Sequence, residues 1–488
     1  MRLPRLFWLT ISLGVAASPA KSKSAEPPPV LKLLSAVTTA IENNPQLRSQ
    51  NWQVELSRGQ LQQASGQFDA TLSGTASAGK DLRETPLLGG GGLFRAQTTL
   101  RSYDVSLGQQ LRNGIVISPE ATVTQTDDNY QTPVPTNVGE FKLSVSVPLL
   151  KGLGTLATAG TELAAKANVE ATQLLYAHAM AQTVQGTVSA YWNYVAARHR
   201  LDILVASEQR AQRLLDQTGA LIQAQMVPAV EIEKLKANLS DQHASRLMAG
   251  QDLESARHAL GLAMGLPFDA ILALPLPGED FPEPAPLAEF DGLDRLDWYR
   301  TTALQSRRDY LAAQNNQRAL DILYRSARAN ERPRADLGLQ VGYTGLDFGT
   351  NVGAMFGPVS RNTAGPTYGA QLTFDWPLAN RGARGFTLQQ RAQYEQAAIQ
   401  TAEAARSIQS SVTLAVGQLR TAWSVLQSAQ DADRLYRGSL GSERQKFQLG
   451  ESTVIDLLTL EDRLDNASTS LVAAQQLYAN ALVALRFE

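Results

Sequence analysis

One arrangement of residues occurs twice in this chain. Phe141, Leu143, Val145 and Val147 alternate with Lys142, Ser144 and Ser146, and the pattern breaks at Pro148-Leu149-Leu150-Lys151-Gly152 into a long polar stretch of helical character. Further on, Tyr368, Ala370, Leu372, Phe374 and Trp376 alternate with Gly369, Gln371, Thr373 and Asp375, and Pro377-Leu378-Ala379-Asn380-Arg381-Gly382 opens a second such stretch. Strict alternation puts the apolar set on one face of a strand. A duplicated unit of strand then very long helix predicts an elongated structural object rather than an enclosed catalytic pocket.

The helices set the scale. No proline lies between Pro148 and Pro228, and none follows Pro377. A helix filling most of the first interval would run on the order of 100 Å at 1.5 Å per residue. That is the width of a bacterial periplasm, not the diameter of a domain. Both stretches are rich in Ala and Gln, with Leu and Val spaced at three and four, a pattern suited to close helix-on-helix packing.

Each copy has further parts in the same order. The first starts with a helix predicted near Leu33 to Ser65 and hands over through Phe68 to alternation at Ala70, Leu72, Gly74 and Ala76. The second starts near Leu293, with Arg307 to Leu311 where Asn44 to Arg48 stood, and hands over at Leu337, Leu339, Val341 and Tyr343. After each long helix comes a break, at Gln225 to Glu231 and at Gly450 to Asp456, and then a shorter returning helix in which Leu235 aligns with Leu460 and Leu239 with Leu464. The expected organisation is a signal peptide over 1–20, repeat one over 21–274, a Pro-rich linker over 275–290 and repeat two over 291–488. The fold class is α+β. Repeat one holds extra strand text, Tyr103 to Leu111 and Ile115 to Val123 around an Asn113-Gly114 turn. Two outcomes are open, a larger barrel or an added hairpin, and the expectation leans to a hairpin projecting from or extending the barrel strands.

Composition excludes several functions. Arg2 and Arg5, the apolar run Leu6 to Ala17 and the small residues Ser18-Pro19-Ala20 read as a secretory signal. The chain has no cysteine, so disulfides, thiolate metal sites and a lipidated cysteine are ruled out. A net charge of -2 without a clustered basic face argues against nucleic acid. The run Gly89 to Gly92 lacks the Lys of a phosphate loop, and the four histidines never pair at zinc-site spacing. No enzyme, cofactor or metal site is expected. After the signal no apolar run reaches the ~18 residues of a membrane helix. Any membrane span must therefore be made of strands closed into a barrel, and because a few strands cannot satisfy their own edges, several chains must share it.

The Asn44-Pro45-Gln46-Leu47 opening, the strand ending at Val147 to Gly152, the duplication, and the Gly450 to Asp456 turn followed by Leu457-Leu458 together resemble the TolC-like outer membrane efflux proteins. The resemblance spans nearly everything after the signal. It implies a homotrimer in which three protomers share one transmembrane β-barrel in outer membrane lipid, continuing into a long periplasmic α-helical barrel of a Gram-negative cell. It also implies an exit duct for efflux or type I secretion that docks on a periplasmic adaptor protein and an inner-membrane pump of RND, MFS or ABC type. A periplasmic coiled-coil adaptor or structural protein is the alternative. By resemblance Asp456, with Glu231 in the matching place of repeat one, stands at the tunnel entrance, whereas the usual latch tyrosine and arginine positions hold Phe447 and Ser452. For Asp456 a plain helix-start acid remains an equal reading. The breaks holding Met226, Val227, Pro228, Gly450, Glu451 and Ser452 are expected to form the tip that meets the adaptor, being the breaks farthest from the strands.

Parity predicts that Tyr368, Leu372, Phe374 and Trp376 face lipid, with Phe141 and Tyr343 completing aromatic girdles near strand ends. In a chain without native cysteine, single cysteines at 371, 373 and 375 should react with an aqueous maleimide, and those at 372 and 374 should react little. The opposite phase would place the strand one residue out of register.

Overall fold

The computed structural model describes residues 30–86, 92–130, 133–223, 230–286, 292–361, 363, 365–449 and 451–488. The expected signal peptide lies outside them, as does the Gly89 to Gly91 part of the glycine run. Repeat one supplies α1 (Leu33–Asn43), α2 (Pro45–Ser65), β1 (Thr71–Pro86), β2 (Leu93–Gln110), β3 (Val116–Asp128), β4 (Thr136–Pro148), α3 (Thr155–Thr158), α4 (Gly160–Gln223), α5 (Glu231–Ala263) and α6 (Phe268–Leu272). Repeat two supplies α7 (Leu293–Ser306), α8 (Arg308–Ala329), β5 (Arg334–Phe348), α9 (Val352–Phe356), β6 (Pro366–Asp375), α10 (Arg381–Gln448) and α11 (Val454–Phe487). At 64 and 68 residues, α4 and α10 are each about 100 Å long.

The helix expected over Leu33 to Ser65 is two helices. Pro45 has no N–H to donate and forces the preceding residue out of helical conformation, so Asn44 sits at φ -60°, ψ 121°. Its side chain then caps α2 by accepting from the Gln46 N–H at 2.8 Å. Repeat two breaks at the matching point, with Arg307 at φ -64°, ψ 120°. These breaks are where other helices end. The Asn44 side-chain amide donates to the Ala263 carbonyl at the end of α5, at 3.2 Å, and Gly265 packs so closely on Asn43 that a Cβ there would sit 2.7 Å from its carbonyl oxygen. So α5 and α2 run end to end as one rod. In repeat two α11 abuts α8, where Arg307 bonds Asp309 at 3.1 and 2.7 Å, pairs with Glu488 and lies over the Phe487 ring at 5.6 Å.

Four rods result, packed in the order α2/α5, α4, α8/α11, α10. Their seams are apolar. Tyr191, Trp192, Tyr194 and Val195 of α4 bury against Leu260 and Met264, and Leu214, Leu235, Leu440, Val454, Leu457 and Leu464 join all four rods near the far end. The linker is held by a short parallel bridge and by side chains: the Leu31 N–H donates to the Leu276 carbonyl at 3.0 Å, Trp423 donates to the Ala285 carbonyl at 3.0 Å, and the Tyr478 hydroxyl accepts from the Ala285 N–H at 3.1 Å.

The strands form one antiparallel sheet in the order β1-β2-β3-β4-β5-β6. This corrects the lean towards a projecting hairpin, because β2 and β3 lie within the sheet between β1 and β4. Their length explains it. β2 has 18 residues, of which 98–106 are paired with β1 on one side and β3 on the other, and a projecting hairpin would leave those outer groups unpaired. The turn at Asn113-Gly114 forms as expected, with the Leu111 N–H donating to the Ile115 carbonyl at 2.7 Å. Gly114 has φ 98°, and a Cβ there would run into the Gly152 carbonyl oxygen. A second correction concerns the girdle. Phe141 and Tyr343 pair with each other in mid-strand, not near strand ends, because β4 and β5 continue past them to Thr136 and Phe348.

The Arg307 junction makes a specific demand on stability. Burial favours a neutral Asp309, but the hydrogen bonds and charge of Arg307 outweigh it and hold this carboxyl below the usual aspartate range. A depressed folded-state value means that the stabilisation is complete above the unfolded pKa and is lost as pH falls through the folded one. Arg307→Ala should therefore cost about 3 kcal/mol near neutral pH, by stranding two part-buried carboxylates, and the deficit should shrink below about pH 4. Asn44→Ala, which removes a cap and the uncharged hydrogen bond to Ala263, should cost about 1–2 kcal/mol with no such pH dependence. Thermal unfolding followed by circular dichroism at several pH values checks both.

Candidate functional site

The sheet has two chemically opposite faces, and its register shows them row by row. One row across all six strands is Gly74, Val105, Ala121, Phe141, Tyr343 and Pro366. The neighbouring row on the other face is Ser73, Ser106, Glu120, Lys142, Gly342 and Thr367. Directly opposed residues share a face, so every strand, edges included, contributes to the same apolar face and the same polar one. On β5 and β6 the apolar face carries Leu337, Leu339, Val341, Tyr368, Leu372 and Phe374. Tyr368, Leu372, Phe374 and Trp376 are 88, 66, 58 and 61% exposed. Trp376 stands one residue beyond β6. Among the described residues no helix is long and apolar enough to cross a membrane.

The polar face is wetted but internally balanced. Lys142 meets Glu120 at 2.9 Å, and Thr122 donates to Asp104 at 2.9 Å. Arg334 pairs with Asp336 at the end nearest the helices. Hydroxyls and paired charges of both signs make this face hydrophilic. Among the described residues no three His, Asp or Glu side chains converge as metal ligands would.

Sequence reasoning missed the joint that ties β2 and β3 to the helices. Arg112, in the β2–β3 turn, forks onto Glu162 of α4 at 2.8 and 2.7 Å and lies 4.8 Å over the Phe68 ring beyond α2. Ser65 at the end of α2 donates to the same carboxylate at 3.0 Å, and the Asn113 carbonyl accepts from the Gly154 N–H at 3.1 Å. Hydrogen bonding from Arg112 holds Glu162 below the ordinary glutamate range. The only sequence signal was an arginine beside a turn.

At the other end, Met226, Val227, Pro228 and Gly450 lie outside the described residues. Asp456 is the third residue of α11 and completes a capping box, its carboxylate accepting from the Thr453 N–H at 3.3 Å and its own N–H donating to Thr453 Oγ1 at 3.2 Å. Glu231 opens α5 and is matched by Lys234 at 3.1 Å. Each acid thus makes its contacts within its own helix start. Ser452 bonds Glu443, Glu451 is exposed with its N–H on the Lys446 carbonyl, and Phe447 packs on the apolar seam. Ion pairs and hydrogen bonds join neighbouring rods: Arg210 and Ser207 of α4 hold Asp465 of α11, Arg444 of α10 meets Glu461 at 2.7 Å, and Asp433 accepts from Ser468 at 2.6 Å.

Residues 300–487, within the second repeat, match the family described as outer membrane efflux protein. No curated protein matches in sequence. Three solved structures share the fold across 93% of this chain. They are the Campylobacter jejuni outer membrane channel CmeC (17% identity, 84% of that chain, TM-score 0.66), the Vibrio cholerae outer membrane protein VceC (16%, 94%, 0.63) and the open-state Neisseria gonorrhoeae MtrE outer membrane channel (18%, 88%, 0.63). The fold is TolC-like, as the sequence pattern implied.

Because the Arg112 fork fastens the turn, Arg112→Ala should free it. Amide hydrogen exchange over residues 109–117 should speed at least about tenfold, one such step being about 1.4 kcal/mol of lost protection, while exchange in α5 stays as it was. Acidification through the depressed Glu162 value should do the same to the unaltered chain but add nothing in the variant. Equal exchange in both would mean that the fork holds nothing.

Proposed function

We propose that this chain is an outer membrane exit duct: three copies share one β-barrel in the outer membrane and one helical tunnel across the periplasm, through which substrates from a separate pump and adaptor pass outward without energy coupling in the duct itself. The observation that carries this reading is the sheet with one apolar and one polar face, standing on four rods of periplasmic length. Its apolar face fits lipid, with Tyr368, Leu372, Phe374 and Trp376 outward, and its polar face fits a water-filled lumen. Both flanks of the protomer are unfinished in the same sense. Trp52, Leu56, Leu247 and Met248 are exposed on the α2/α5 rod, and Leu388, Ile399, Leu414 and Leu435 on α10, which suits burial against the next copy.

The far ends of the rods, from Met226 to Glu231 and from Gly450 to Asp456, are the docking tip for the periplasmic adaptor. Asp456 and Glu231 flank the tunnel entrance there, each also serving its own helix start. The inner-membrane pump, of RND, MFS or ABC type, chooses the cargo. A soluble coiled-coil adaptor would share the rods but has no use for six amphipathic strands.

On expression in a Gram-negative host, the chain should require detergent for extraction from outer membrane fractions, cross-link as trimers, and conduct ions in planar bilayers. Recovery in a soluble periplasmic extract would overturn this function.

A further inference from the structure

The sheet is wider than the duplication requires. One strand joins each of the four rods: α2 leads into β1, β4 into α4, α8 into β5 and β6 into α10. The β2–β3 hairpin belongs to no rod and enters the sheet between β1 and β4, above the two adjacent rods α2 and α4. Resting on the three-copy reading above, we infer that the barrel closes with eighteen strands, and that the inserted hairpin makes its perimeter match that of the helical tunnel below.

The edges allow this closure. With six strands in one meander, β1 leaves the helical end and β6 returns to it, so β6 of one copy meets β1 of the next antiparallel. Both edge strands keep the apolar-polar alternation, with Leu72 on β1 and Leu372 on β6 on the same face. The faces therefore continue across the joint without a register flip. In hydrocarbon neither edge can stay unpaired.

Size then distinguishes between strand numbers. Strands about 4.8 Å apart and tilted by roughly 35–45° each occupy about 6–7 Å of circumference. Three copies of six strands thus span roughly 105–120 Å. Three copies of four rods, at interaxial distances of about 8–10 Å, span roughly 95–120 Å. Without the hairpin, twelve strands would span only about 70–80 Å at the same tilt, and the barrel would pinch the passage. The turn sits where a spacer should. Arg112 bridges the end of α2, through Phe68, and the start of α4, through Glu162. A hairpin leaving the barrel would not have its turn fixed in the joint between two rods. The outer membrane section then imposes no narrower size limit on cargo than the tunnel, and any restriction at the outer surface falls to the loops.

Electron microscopy of the intact chain in lipid nanodiscs tests this, read by counting strands in section at the apolar band. The expected result is eighteen strands with a backbone diameter near 36 Å, accompanied by cross-linking between single cysteines placed on β6 and β1 of neighbouring copies. A threefold particle with twelve strands and an extruded hairpin would overturn the inference and leave the duct intact. A particle with no shared barrel would overturn the functional reading itself.

Discussion

A peptide group in hydrocarbon has no water to bond, and the duct proposed above depends on that constraint. It forbids a free strand edge at membrane depth, so a six-stranded sheet with two open edges is an incomplete object. It requires the apolar-polar alternation to stay in phase across all six strands, as the paired rows at Phe141 and Lys142 do. It also fits inserted strands that are long and paired on both sides over most of β3 and the middle of β2. Side chains such as Leu143 and Val341 supply the apolar face, but the backbone decides the topology.

Below the sheet the problem is length. A rod of about 100 Å can be a single helix, as in α4 and α10, or two helices set end to end, as in α5/α2 and α11/α8. The two repeats solve the end-to-end contact with different chemistry. Repeat one uses a capping asparagine that also reaches the Ala263 carbonyl, and repeat two uses an arginine among two carboxylates and an aromatic ring. The geometry was duplicated, and the interactions that secure it differ. The long helices are entered differently: Asn380, left-handed at φ 42°, directly precedes α10, whereas α4 is reached through Gly154 at φ 88° and the short α3.

Much of this was legible because periodicity is a local signal. The alternation at Phe141 to Val147 and Tyr368 to Phe374 named the faces of two strands, and the absence of proline named the two long helices. Other features depend on partners distant in sequence. The Asn44-Pro45 pair could be seen, but that it interrupts a helix to receive the end of another requires knowing that Ala263 arrives there. Arg112 gave no sign of its role because Glu162 and Phe68 lie on either side of a long stretch of strand. The extra strands were visible as strands, yet their place in the sheet was misjudged, since alternation says which side chains share a face and nothing about which strands are neighbours. At Asp456 the resemblance and the local sequence pointed to different roles, and the capping box satisfies the local one.

The two end-to-end seams do not lie at one height. The first packs beside Tyr191 to Val195 of α4, while the second brings Asp309 and Phe487 to His178 of the same helix, nearer the sheet by on the order of 20 Å. Masons offset vertical joints in successive courses for the same reason: a cut that passes through one joint meets an unbroken member in the next. Here α4 and α10 are the unbroken members and the seams are staggered between them, so a bending load on the column finds no plane in which every rod is interrupted.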